Sequence, residues 1–116
     1  MARLEYSQIV RRKLKQLRNE LTQNYGEMNS KKIIGNIMNH IRRLETFPQS
    51  GTKISSRYDI ECDYSYLFVE HNYFFYRIKD KDTILILDMF HEKEDFMRKM
   101  FGITTTSQET IDYWGE

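Results

Sequence analysis

The 116-residue chain holds one cysteine, Cys62, which has no partner for an internal disulfide. No Cys/His spacing of the kind a tetrahedral zinc site needs surrounds it. Thiol redox chemistry and structural metal are therefore not expected, and no cofactor is. Proline is equally scarce, with Pro48 alone, and the five glycines gather into no linker-like tract. Internal repeats, low-complexity segments and signs of a second domain are missing as well. No stretch approaches the ~20 apolar residues of a membrane span, and the basic N-terminal stretch is not followed by an apolar run. The expectation is a cytoplasmic protein with no membrane partner. Its length suits one domain with a core large enough to need no staples.

Charge of one sign is scarce in each half. Residues 1–57 hold 12 Lys/Arg against 4 Asp/Glu, and residues 58–116 hold 6 against 13, so a net charge of +1 conceals halves of about +8 and −7. Either a basic face meets a polyanion, or the two halves attract each other within the fold.

Ser7 can cap a helix whose apolar stripe runs through Val10, Leu14, Leu17 and Leu21. The other side of that helix carries Arg11, Arg12, Lys13, Lys15 and Arg18, a set able to follow a phosphate backbone. A second helix is expected from about Asn29 or Ser30, with Ile33, Ile34, Ile37, Met38, Ile41 and Leu44 facing inward, and Pro48 ending it. The two should form a hairpin. Residues 48–60 read as a loop leading into a short strand. Three runs rich in aromatic and β-branched residues follow, DYSYLFVE, NYFFYRIK and DTILILDMF, and predict three sequential antiparallel strands. Alternation in the second places Tyr73, Phe75 and Arg77 on one face and Phe74, Tyr76 and Ile78 on the other. HEKEDFMRKMFG reads as a short closing helix with Phe96, Met97, Met100 and Phe101 inward and Gly102 as its stop. Residues 104–116 read as a polar tail in which Ile111, Tyr113 and Trp114 could dock.

The plan is α+β: an N-terminal helical hairpin, an antiparallel sheet of three to four strands, and a short C-terminal helix. Specific residues narrow it. Leu44-Glu45-Thr46-Phe47-Pro48 before Gly51, Asp63-Tyr64-Ser65-Tyr66-Leu67, Tyr73-Phe74-Phe75-Tyr76-Arg77, and Ile86-Leu87-Asp88-Met89-Phe90-His91 leading to Asp95-Phe96 and Phe101-Gly102 occur in one order. In that order and spacing the chain resembles the RelE/ParE superfamily of toxins from type II toxin–antitoxin systems, over residues 5–103. The toxin domain is accordingly placed at 1–103.

The resemblance implies a curved sheet with the helices on one face and an opposite, concave face that acts on the target. It also implies a cognate antitoxin that wraps a segment over the toxin. The RelE branch is similar in cutting mRNA on the ribosome by metal-independent attack of the ribose 2′-OH, which needs a proton acceptor, a proton donor and positive charge around the phosphorane. On that reading His91 handles protons, and Lys93 and Arg77 supply catalytic charge. Lys53, Arg57, Arg12 and Lys13 then bind nucleic acid. Two bland readings stand beside it: Arg77 could pair with Asp88 across the strands, and His91 could cap the next turn. The chain also departs from the family pattern, with Glu92 and Glu94 where small or basic residues are usual, and Ser65 after Tyr64. The ParE branch, which poisons DNA gyrase, needs no acid–base residues. A catalytically inert module that only engages an antitoxin is the third possibility.

Overall fold

The computed structural model describes residues 2–58, 61–94 and Lys99. The predicted closing helix and the tail lie outside the described residues apart from Lys99. The order of elements is β1 (Arg3–Tyr6), α1 (Gln8–Tyr25), α2 (Glu27–Arg42) with a 3-10 turn Arg43–Glu45, β2 (Thr52–Lys53), the one-turn helix α3 (Ile54–Arg57), β3 (Ser65–Val69), β4 (Asn72–Asp80) and β5 (Thr83–His91).

The helices form as their sequence dictates. Ser7 takes extended backbone at the N-cap and its hydroxyl accepts from the Val10 N–H, satisfying one of the amides a helix start leaves unpaired. The same hydroxyl donates to the Leu87 carbonyl at 2.6 Å, pinning the start of α1 to β5. α1 closes at Gly26, whose φ of 89° lets α2 begin one residue later, at Glu27 rather than at Asn29 or Ser30.

The α+β plan of a helical hairpin on a sheet holds, and the sheet exceeds the expected three to four antiparallel strands: it has five, is mixed, and runs β1-β5-β4-β3-β2. β3, β4 and β5 are the expected antiparallel meander. β1 adds in parallel to β5, with Leu4 opposite Ile84 and Tyr6 opposite Ile86. β2 is a two-residue edge pairing Thr52 with Tyr66 and Lys53 with Ser65. Glu70 and His71, both at positive φ, form the two-residue turn between β3 and β4.

The two faces of the sheet hold separate apolar clusters. Toward the helices, Phe74, Tyr76, Ile84 and Ile86 meet Val10, Ile37, Ile41 and Leu44, all essentially shielded from water. Each such side chain contributes about 1.5–3 kcal/mol on burial. On the opposite face, Ile54 from α3 and Tyr58, Cys62 and Tyr64 from the neighbouring loop cover Tyr66, Phe75 and Phe90. Both faces of β4 are therefore covered, as its double apolar pattern requires.

The Tyr76 hydroxyl ties the loop after α2 to the sheet, donating to the Pro48 carbonyl and accepting from the Gly51 N–H, each at 3.0 Å. Tyr76→Phe leaves both backbone groups without that partner. It is expected to lower unfolding free energy by about 1–3 kcal/mol, read by urea denaturation, with no change in native secondary structure.

Candidate target-binding face

The sheet face away from the helices carries a continuous aromatic surface. Alternation aims Tyr66 and Phe68 of β3, Tyr73 and Phe75 of β4, and Phe90 of β5 to this side. Their rings interlock: Tyr66 meets Tyr73 edge-on at 5.3 Å, Phe68 lies 4.8 Å from Tyr73, and Phe75 meets Phe90 edge-on at 5.8 Å. Phe75 and Phe90 are buried beneath α3 and the loop, whereas Phe68 remains half exposed and Tyr73 partly so. Exposed aromatic area next to a rigid aromatic base is the composition of protein-contact hot spots.

Arg57 stands on the rim of this surface, fully exposed at the end of α3. The Tyr58 hydroxyl accepts a hydrogen bond from its guanidinium and, with the nearby Tyr66 and Tyr73, holds its pKa above the ordinary value. Burial pushes the Tyr58 and Tyr73 hydroxyls up in turn, so both phenols stay neutral at physiological pH and leave the Arg57 charge uncancelled.

The remaining sequence-derived candidates do not gather around one point. Arg77 shares this face, yet it pairs with Leu85, while His91 pairs with Asn72 six positions further along β5. At about 3.3 Å per residue that separation is roughly 20 Å, and alternation from Phe90 turns His91 toward the other side of the sheet. One phosphate cannot touch both. The cations expected to serve catalysis and nucleic-acid binding therefore do not form one site: they are distributed over both faces of the sheet and its edges. Lys53 sits on the far edge strand beside Asp63, Cys62 and Ile78. Arg12 is exposed on α1.

His91 acts as a turn cap. Its Nδ1 accepts from the Lys93 N–H at 3.2 Å, and its own N–H donates to Glu94 at 3.0 Å. Lys93 is exposed beside it. Burial pushes the Glu94 carboxyl up, but the Lys99 ammonium at 2.7 Å and the His91 N–H outweigh it and hold the group below the usual carboxylate range. Glu92 accepts from, or pairs with, His71 Nδ1 at 2.9 Å. The two acids at the end of β5 are thus each paired within this corner, Glu92 with His71 and Glu94 with Lys99. Among the described residues no group of three or more His, Cys, Asp or Glu is arranged to hold a metal.

Lys13 turns inward. Its ammonium reaches Asp88 at 2.7 Å and the Met89 carbonyl at 3.0 Å, and lies 4.2 Å from the centre of the Phe90 ring. It thereby closes the edge of β5 beyond the end of β1, and it takes the partner that Arg77 was offered. A double-mutant cycle of Lys13→Ala and Asp88→Ala should show a stabilising coupling of about 1 kcal/mol, modest because both side chains keep some water contact. Lys13–Asp88 is also the one ion pair among the described residues that joins a cation of residues 1–57 to an acid of residues 58–116. Among the described residues, mutual attraction of the halves does not consume the basic charge of α1 and α2.

Sequence reasoning passed over Phe68 and Tyr58, since aromatic residues in strands and loops read equally as core. It also missed the clasp of Lys13, although Lys13 lies three residues after Val10 and four before Leu17, on the flank of the apolar stripe.

Comparison with known proteins matches this architecture. Residues 4–96 fit the family described as the ParE toxin of the type II toxin–antitoxin system parDE. A solved structure described as the chromosomal ParDE toxin–antitoxin system from P. aeruginosa superposes with a TM-score of 0.65 at 17% identity, covering 78% of this chain and 96% of that one. No curated protein sequence matches the chain. The fit to the family runs from β1 past the end of β5, and this chain belongs to the ParE toxin family of type II toxin–antitoxin systems, within the RelE/ParE superfamily.

Proposed function

We propose that this protein arrests growth by binding a protein target, DNA gyrase, through its aromatic face and Arg57, and that a cognate antitoxin neutralises it by covering the same surface. The observation that carries the reading is the separation of His91 from Arg77 by roughly 20 Å along the sheet, on different sides of it. Ribonuclease chemistry needs proton transfer and phosphate charge at one atom group. Binding needs only the exposed rings of Phe68 and Tyr73 and a fixed cation beside them. Gyrase works in the cytoplasm, so the site of action proposed is cytoplasmic. The antitoxin follows from membership of a family of paired genes, and the structural neighbour is itself described as a ParDE toxin–antitoxin system.

Induced expression in a sensitive host tests the reading. Induction of the DNA-damage response with transcripts intact, and relief by a gyrase carrying a resistance substitution, is the expected outcome. Ribosome-dependent cleavage of mRNA would instead establish the endonuclease mechanism, with His91, Lys93 and Arg77 to be reassessed. Growth without arrest, at normal levels of folded protein, would leave only an inert antitoxin-binding module.

A further inference from the structure

On the other side of the molecule, α1 and α2 leave a groove whose floor is Tyr6, Leu14, Ile34 and Met38. All four are only partly buried. One wall is a rail of three cations, Arg11, Lys15 and Arg18, spaced four and three residues apart so that they share one side of α1. None of the three has an acidic partner among the described residues. An apolar floor beside a positive rail asks for a segment that is apolar along one line and acidic along the next. Nucleic acid would satisfy the rail but leave the floor wet.

The chain carries such a segment. Beyond Lys99 it has no Lys or Arg, and residues 104–116 hold Glu109, Asp112 and Glu116, which recur at intervals of three and four. Ile111 and Trp114, three apart, form the adjacent apolar line, with Tyr113 between them. The segment starts at the end of β5, beside α1. Lys99 is tied to Glu94, whose N–H donates to the His91 carbonyl at the end of β5. Phe90 is in turn 4.2 Å from the Lys13 ammonium, one residue before Leu14. Ten residues from Lys99 to Glu109 can extend over about 33–36 Å, several times the length of the rail. A short tether also gives a docked segment an effective concentration on the order of millimolar, so weak contacts suffice to populate it.

We propose that residues 104–116 are an internal ligand of the α1–α2 groove: the acids lie along Arg11, Lys15 and Arg18, and Ile111 and Trp114 sit on the Leu14–Ile34–Met38 floor. The segment thereby covers the basic side of the hairpin until an external acidic partner displaces it. This docking is independent of the toxin's target and holds whether or not gyrase is that target.

Trp114 is the sole tryptophan, so the intact chain carries its own probe. At low salt its emission should be blue-shifted and shielded from acrylamide, and both properties should fade as ionic strength rises. Arg11→Glu with Lys15→Glu should shift the emission to that of a solvated indole while far-UV circular dichroism and the thermal midpoint stay near the parent's. Adding Glu109→Lys and Asp112→Lys to that variant should restore the shielded emission. Met38→Asp, which spoils the floor and keeps the rail, should also release the indole. The spectra should not change with protein concentration, since the contact lies within one chain. The proposal is overturned by a solvated indole in the parent, by a shielded one indifferent to the rail and floor variants, by failure of the reversed-charge pair to restore it, or by a shielding that grows with concentration.

Discussion

Arg57→Glu is expected to abolish growth arrest, whereas His91→Ala leaves it at the parental level. Arg57 is exposed, is held by the Tyr58 hydroxyl, and stands next to Tyr66 and Tyr73, so it presents a fixed charge at the rim of an aromatic surface. Truncation of such an arginine at a protein interface commonly costs 2 kcal/mol or more, and reversing its sign adds repulsion. A loss of about 30-fold or greater in affinity for the target follows. Phe68→Ala should act in the same direction with a smaller effect, because its ring is half exposed and lies 4.8 Å from Tyr73. Among the described residues the His91 imidazole accepts only from the Lys93 N–H of its own turn, so its truncation reaches no described partner beyond that turn. Colony counts after induction, with binding to purified gyrase and a thermal melt of each variant, give the measurement. Undiminished toxicity of well-folded Arg57→Glu and Phe68→Ala would remove this face from the action. Loss of toxicity in His91→Ala, with stability unchanged, would bring back acid–base chemistry.

The helical hairpin and the three-strand meander were legible because their signals are local. Val10, Leu14, Leu17 and Leu21 mark one side of α1, and Ser7 announces its start. The meander shows as aromatic and β-branched runs of suitable length. β1 was not legible, since Arg3–Tyr6 is four residues long and its partner strand begins at Thr83, eighty positions away. Nothing in Arg-Leu-Glu-Tyr distinguishes a parallel edge strand from an extended lead into a helix. β2 has only two residues, and the Glu70–His71 turn lacks the Asn-Gly signature such turns favour. The candidate site failed for a different reason. Residue type nominates a histidine or a cation, but only the register says which of them meet. A one-residue step between Phe90 and His91 changes the side of the sheet, and a bulge between Phe75 and Tyr76 changes the count along β5. The resemblance to the toxin superfamily survived all of this because it rests on the order of apolar blocks, which registers and edge strands do not disturb.

Phe75→Ala carries the largest expected cost in stability, about 3–5 kcal/mol, and separates the two roles of the aromatic face. Phe75 is fully buried, touches Tyr66, Tyr73 and Phe90, and lies beneath Ile54 and the loop that holds Tyr58 and Cys62. Removing its ring opens a cavity that neighbours on a five-stranded sheet cannot close without breaking strand pairing. For a domain of this size the thermal midpoint should fall by on the order of 15 °C. Phe68→Ala on the same face should leave the midpoint within a few degrees, because half of its surface already meets water and surface truncations usually cost under ~0.5 kcal/mol. The pair therefore divides the face: one ring holds α3 and Arg57 in place, and its neighbour is free to meet a partner. If Phe75→Ala melted with the parent, α3 would not be anchored by this cluster, and the fixed position of Arg57 on which the proposed target binding rests would lose its physical basis.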